Sequence, residues 1–248
     1  MGAPSFWAET RAHLAKRPDP LNALVLALPL LAAYELGCLF IDLKNGVDLL
    51  SLALVAVREQ SRVLYLSVHL APVVALVVVI VRLRIQKRLR PGLIIPTLVE
   101  STVYAVACAT LAGWVVTRLS LAAASRGANG AVQLGFFAGI VMSLGAGFWE
   151  ELVFRGGLFN GLTWLGGKVF GPKSVWALGL SGLLSSLIFS GIHYVGPMGD
   201  EFLLVSFVYR FVLGVLFATI FRYRGFAVAA YTHALFDVLV TVIKGVSS

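Results

Sequence analysis

Acidic, basic and histidine side chains interrupt several apolar stretches of this sequence. The segment 147–157 holds two adjacent glutamates, Glu150 and Glu151, and Arg155 follows four residues after the second. On a helix, Glu151 and Arg155 share a face and can form an ion pair, whereas Glu150 is rotated about 100° away and has no partner at helical spacing. The spacing predicts one carboxylate held ionised by a cation and another free to act as a base. The alternative is a helix end with solvated charges.

Two further segments carry histidines at helical spacing. Phe189 and His193 lie one helical turn apart, and His233 and Asp237 lie four residues apart on one face. Taken singly, a histidine in a helix is more often structural, and a His–Asp pair can simply satisfy its own polar atoms. Together with the glutamates they offer what hydrolysis needs, which is a base for water and donors where negative charge develops.

The composition identifies lipid as the solvent of this chain. Of its 248 residues, 59% are hydrophobic and 13% are charged, whereas a soluble domain carries about 25% charged residues. A spanning helix needs about 20 residues, so a chain of this length holds about six to eight spans and no soluble domain. The formal charge of +8 comes from bases in short segments between apolar runs. That pattern follows the positive-inside rule, so we do not expect nucleic acid as a partner.

The apolar runs predict an all-α fold, a polytopic transmembrane helical bundle of about seven to eight spans. Residues 1–20 mix aromatic, basic and proline residues and are predicted to form an N-terminal interfacial helix, followed by a single membrane domain at 21–248. Two short apolar stretches, 47–57 and 152–165, are interpreted as partial or interfacial helices. The predicted spans are 21–41, 62–84, 93–117, 131–149, 174–195, 202–221 and 225–244.

The polar motifs, taken in order, resemble a known family. Glu150-Glu151-x-x-x-Arg155, Phe189-x-x-x-His193 and His233-x-x-x-Asp237 are similar to the motifs of the CAAX protease and bacteriocin-processing (CPBP, or Abi) family, whose best-known member is the Ras-converting CAAX endopeptidase. The run Phe211-Val-Leu-Gly-Val-Leu-Phe217 also resembles the penultimate helix of that family. The resemblance covers about residues 130–244, the CPBP-like core. The first half of the chain matches only as generic spans.

The resemblance implies an intramembrane glutamate-dependent endopeptidase. Glu150 corresponds to the glutamate that activates the attacking water, and His193 to the histidine that helps to hold this water. His233 corresponds to a donor to the tetrahedral oxyanion. The supporting residues implied by the same motifs are Glu151, Arg155 and Phe189.

One position departs from the best-known family member. The last motif ends in Asp237, where the Ras-converting enzyme has asparagine. An amide can donate a hydrogen bond to an oxyanion, but an ionised carboxylate would repel it. Asp237 must then be protonated or must orient His233 as a cationic donor, and the sequence leaves both open.

Other functions use the same side chains. A zinc site could take nitrogen and oxygen ligands from Glu150, His193, His233 and Asp237. However, the His-Glu-x-x-His helix is absent, so we expect no metal and no cofactor. Acids inside spans also suit an ion or proton relay, and the candidates for a transporter are Glu35, Glu100, Glu150 and Asp237. A third possibility is a non-catalytic immunity or partner-binding protein on the same scaffold.

The expected partners are the lipid bilayer and a membrane-associated protein or peptide substrate. The resemblance admits prenylated C-termini, peptide precursors and sorting tails, and nothing in the sequence selects among them. A short chain rich in alanine, valine and glycine favours a bacterial plasma membrane over a eukaryotic endoplasmic reticulum. The sequence gives no oligomeric state.

Overall fold

The predicted helical fold is confirmed. A computed structural model describes residues 19–41, 43–57, 62–86, 88–118, 135–196 and 199–247, and these residues form helices and connecting loops without a strand. The prediction of an interfacial helix at 1–20 lies almost wholly outside the described residues. The helices are α1 Pro20–Gly37, α2 Leu49–Val57, α3 Arg62–Ile85, a 3₁₀ turn Pro91–Leu93, α4 Ile94–Arg118, α5 Phe136–Gly145, a π-helical segment Ala146–Phe159, α6 Asn160–Phe170, α7 Val175–Ile192, α8 Leu204–Arg224 and α9 Phe226–Ser247.

The described residues contain six helices that are long and apolar enough to cross a bilayer, close to the predicted seven to eight. Large apolar side chains along the helices remain exposed, as expected where the surrounding solvent is lipid. The chain is therefore an integral membrane protein. One boundary was predicted wrongly: 152–165 is not a separate helix, because α5, the π-helical segment and α6 run on as one continuous helix, Phe136–Phe170. The short helix predicted at 47–57 corresponds to α2.

Local sequence signals explain where the helices around the site begin and end. Ser174 precedes α7, and its hydroxyl accepts a hydrogen bond from the Ala177 amide, which is an N-cap. Gly225 separates α8 from α9 with φ +88°, a left-handed conformation that glycine adopts without strain. A single residue thus reverses the chain, and α9 packs against α8.

The last helix, α9, is the centre of the bundle. It packs against α1, α4, α5, the π-helical segment and α8. Its first turns carry small side chains, and Ala227, Ala229 and Ala230 are fully or almost fully buried. A Cβ atom on Gly147 of the π-helical segment would lie 2.6 Å from the Ala230 carbonyl oxygen, so the two backbones are in direct contact. Small residues permit such close approach between membrane helices, and here they bring His233 towards the π-helical segment.

A second close approach joins α7 to α8. A Cβ atom on Gly214 would lie 2.9 Å from the Ser186 side chain and 3.2 Å from the Phe189 ring. The Ser190 hydroxyl also donates a hydrogen bond of 2.7 Å to the Phe207 carbonyl. These contacts fix the end of α7, where Phe189 and His193 lie.

Candidate active site

The two adjacent glutamates lie on the π-helical segment. This segment is 14 residues long, and its turns are wider than those of the helix expected for 147–157. π-Helical turns are rare and occur frequently at functional sites. The spacing prediction for Glu151 and Arg155 nevertheless agrees with the structure, since Arg155 Nη1 lies 3.1 Å from Glu151 Oε1. Both side chains are buried, with exposed fractions of 1% and 0%.

Arg155 is enclosed by groups that suit a cation. Its Nη2 donates a hydrogen bond of 3.1 Å to the Gly214 carbonyl of α8. The guanidinium carbon lies 4.3 Å from the centroid of the Phe189 ring and 5.7 Å from that of Phe217. Cation–π contacts of this kind are strongest where water is excluded. The arginine thus holds three helical segments together around the carboxylate of Glu151.

His233 lies against the same carboxylate. Its Nδ1 is 2.9 Å from Glu151 Oε1, which assigns this nitrogen as a donor because a carboxylate accepts. The imidazole also stacks on Phe217, with 4.5 Å between ring centroids. A ring held on one edge and one face has a fixed orientation, and its Nε2 then lies 3.9 Å from Glu150 Oε2.

His193 approaches Glu150 from α7. It is the C-cap residue of α7, and its Nδ1 lies 2.8 Å from the Phe189 carbonyl oxygen. Since a carbonyl only accepts, Nδ1 carries the proton in this arrangement. The opposite nitrogen, Nε2, lies 3.9 Å from Glu150 Oε2. The Phe189 ring packs edge-on against both imidazoles, at 5.1 Å from His193 and 5.8 Å from His233.

Glu150 therefore stands between two histidines that come from different helices. Its Oε2 is the same distance from both imidazoles, and its Oε1 accepts a hydrogen bond of 3.0 Å from Asn45 Nδ2. The side chain is 12% exposed, against 0% for Glu151. The structure brings together all three motifs, of which the first and the last are far apart in the sequence, since 82 residues separate Glu151 from His233.

The sequence was compared with models of known protein families. The family described as "Rce1-like: Type II CAAX prenyl endopeptidase Rce1-like" matches residues 132–239. The matched region is similar to the CAAX proteases. Comparison with curated proteins and with solved structures gives no match. The resemblance predicted from the motifs is thus confirmed, and the family is one of endopeptidases.

The position that departs from the best-known CAAX protease lies at the edge of the cluster. Asp237 Oδ2 is 3.4 Å from His233 Nε2, and the Asp237 side chain is 31% exposed. His233 therefore has a carboxylate facing each of its two ring nitrogens, Glu151 at Nδ1 and Asp237 at Nε2. This arrangement is electrostatically suited to a positively charged imidazole.

One residue of the cluster was missed from the sequence and lies outside the region matched by the CAAX protease family. Asn45 comes from the loop between α1 and α2, and only its tertiary contact with Glu150 reveals it. The sequence offers a weak signal in the turn pair Asn45-Gly46 followed by Asp48, which is typical of a loop ending in a helix cap.

The remaining intramembrane acids have other partners. Glu100 of α4 forms an ion pair with Arg224 at the end of α8. Glu35 of α1 pairs with Lys44 at 3.1 Å, and both side chains are substantially exposed. Burial lowers the pKa of the Lys44 ammonium, but the hydrogen bond and negative charge of Glu35 together raise it above its ordinary value.

Proposed function

We propose that this protein is an intramembrane glutamate-dependent endopeptidase. Its substrate would be a membrane-associated protein or peptide, hydrolysed near the C-terminus, and its location a bacterial plasma membrane. The observation that carries the proposal is the position of Glu150 Oε2, 3.9 Å from Nε2 of both His193 and His233. Such a separation accommodates a water oxygen about 2.8 Å from the carboxylate and from one imidazole, which is hydrogen-bonding distance.

In the proposed reaction, Glu150 is the general base. It takes a proton from water as the water oxygen forms a bond to the scissile carbonyl carbon, and His193 Nε2 helps to hold this water. The carbonyl oxygen becomes an oxyanion, to which His233 Nε2–H donates. The carbon–nitrogen bond then breaks, and Glu150 returns its proton to the departing amine.

Asp237 takes an orienting role in this proposal. Glu151 and Asp237 face opposite nitrogens of His233, at 2.9 Å and 3.4 Å, and together favour the charged imidazolium with a proton on Nε2. An aspartate can therefore replace the asparagine of the best-known family member if its charge acts on the histidine rather than on the oxyanion. We propose this arrangement over a protonated Asp237.

The reaction is proposed to need no metal ion. Within the described part of the chain, no three His, Cys, Asp or Glu side chains are arranged to hold one metal. The buried cation of Arg155 beside Glu151 supplies positive charge instead. Cleavage that survives exhaustive chelation is the expected result, and loss of cleavage that zinc restores would contradict it.

The decisive experiment measures peptide cleavage by the purified protein in liposomes. The substrates are two fluorogenic peptides with the same sequence, in which a cysteine is followed by three C-terminal residues. The cysteine is prenylated in only one of them. Glu150→Gln should lower the cleavage rate by about 10²- to 10⁴-fold, the usual contribution of a general base. Glu201→Gln makes the same chemical change on an exposed loop residue and should cleave as the native protein does.

Two outcomes would contradict the proposal. Undiminished cleavage by Glu150→Gln would remove the glutamate mechanism. Ion flux across the liposomes that depends on Glu150, without any peptide cleavage, would favour a transporter instead. Preference for one of the two peptides would decide whether a prenyl group is part of the substrate.

A further inference from the structure

Asn45 makes four hydrogen bonds, one of which its backbone carbonyl accepts from the Asp48 N–H at 3.0 Å. The Asn45 backbone N–H donates to the Tyr34 hydroxyl at 2.9 Å, and its Oδ1 accepts from the Val47 N–H at 3.0 Å. Because only an oxygen can accept from the Val47 N–H, this contact identifies Oδ1 of the amide. The other amide atom is therefore Nδ2, which donates a hydrogen bond of 3.0 Å to Glu150 Oε1. Asn45 is 8% exposed, which makes this a buried contact between two polar side chains.

The loop that carries Asn45 is anchored by a second buried carboxylate. Asp48 has no exposed surface and accepts a hydrogen bond of 3.1 Å from the Tyr34 hydroxyl. Its two oxygens also accept from the Ser51 N–H at 3.0 Å and the Ser51 hydroxyl at 2.8 Å, which caps the start of α2. A buried carboxylate with three donors is well satisfied, so the turn before it has a defined position.

The Tyr34 ring ties this loop to the helix of Glu150. A Cβ atom on Gly145 would lie 2.4 Å from Tyr34 Cε2, so the ring lies directly on the backbone of α5. Gly145 is five residues before Glu150 on the same continuous helix. One fully buried tyrosine therefore sets both the position of Asn45 and the distance between its loop and the glutamate.

We propose that Asn45 is a positioning residue for Glu150. Its amide holds Oε1 and so directs Oε2 towards the two imidazoles, 3.9 Å away on each side. The proposal rests on the proposed function, and it extends the site beyond the region matched by the CAAX protease family to a loop of the first half of the chain.

The test substitutes Asn45 with aspartate. Asn45→Asp keeps an oxygen for the Val47 N–H and so preserves the turn, but it removes the donor to Glu150. We expect kcat to fall about 10- to 100-fold, the effect of a lost hydrogen bond to a charged group. KM should remain unchanged because Asn45 acts through Glu150. Asn45→Gln, which keeps the amide donor, should recover part of the loss.

The matched control is Asn160→Asp. Asn160 is exposed at the start of α6, on the same continuous helix as Glu150, and its amide donates to the Gly156 carbonyl. This variant makes the same chemical change away from the site, and its kcat and KM should match those of the native protein.

Cross-linking provides a readout that does not depend on activity. Asn45→Cys and Glu150→Cys, combined in a chain whose Cys38 and Cys108 are replaced by alanine, should be joined by a short bifunctional thiol reagent. Absence of the cross-link would overturn the contact itself. If Asn45→Asp and Asn45→Ala retain native kcat while Glu150→Gln is inactive, the positioning role fails and the proposed function stands. If Glu150→Gln is fully active, the proposed function fails instead.

Discussion

The buried cation at the centre of the site offers the sharpest test of how this fold is held together. Arg155→Met keeps the unbranched aliphatic part of the side chain and removes its charge. The native guanidinium lies 3.1 Å from Glu151 Oε1, donates to the Gly214 carbonyl at 3.1 Å and lies over the Phe189 ring at 4.3 Å. The variant loses all three contacts and leaves the buried Glu151 carboxylate with His233 Nδ1, 2.9 Å away, as its remaining partner.

The size of the effect follows from that burial. Removing one partner of a buried ion pair costs about 3–5 kcal/mol of folding free energy, because the remaining charge loses the charge with which it was paired. For a chain of this size the loss corresponds to a melting temperature lower by roughly 6–20 °C. Removing both charges should cost less, since Glu151 Oε2 and Arg155 Nε are buried without a hydrogen-bond partner among the described residues. The pair is thus incompletely satisfied even in the native protein.

Thermal unfolding of the purified protein in detergent measures these differences. Arg155→Met should show the full drop, and the double variant Glu151→Gln/Arg155→Met should recover at least half of it. Lys168→Met is the matched control, because Lys168 also lies over an aromatic ring, Trp164 at 3.6 Å, but is exposed on the same continuous helix. Its loss should be below about 1 kcal/mol. Equal melting temperatures for Arg155→Met and Lys168→Met would refute the reasoning.

Two further substitutions test the packing and the outlying ion pair. Gly147→Ala places a Cβ atom 2.6 Å from the Ala230 carbonyl oxygen. We expect the free energy of unfolding to fall by about 1–3 kcal/mol and cleavage to be reduced. In the control variant Gly161→Ala the new Cβ atom would have no neighbour within 4 Å, so both quantities should be unchanged. Glu100→Gln breaks the pair with Arg224 between α4 and α8 and should cost about 3 kcal/mol. Protein of this variant that remains folded should cleave at the native rate, and a selective loss of cleavage would contradict that separation of roles.

The sequence was sufficient for the features that depend on local spacing. Apolar runs of the right length predicted the spanning helices, because the bilayer thickness dictates helix length. The interval of four residues predicted that Glu151 and Arg155 would pair, and the pair survives the change from an ordinary helix to a π-helical segment. The continuity of Phe136–Phe170 was not predicted, since the polar residues of 150–155 resemble a helix end when their tertiary partners are unknown.

The contacts that cross between helices could not be read from spacing. His193 and His233 were expected at the site only through the family resemblance, because up-and-down spans of equal length would put them at different depths. For Asn45 the sequence offered only a weak turn signal, which does not indicate a contact with Glu150. The position of Asn45 depends on Tyr34 fitting against Gly145, which is a matter of shape between two distant segments.

The different partners of the two adjacent glutamates explain why one is structural and the other is available for chemistry. Glu151 directs Oε1 to both Arg155 and His233, and its complete burial keeps that carboxylate committed to the fold. Glu150 has its Oε1 held by Asn45, while Oε2 faces the histidines and accepts no hydrogen bond within the described residues. A general base must keep an oxygen free to accept a proton from water. In Glu150 a tertiary contact on Oε1 orients the carboxylate and leaves Oε2 free for this purpose. The first half of the chain therefore contributes to the chemistry through that contact, although the recognisable motifs all lie in the second half.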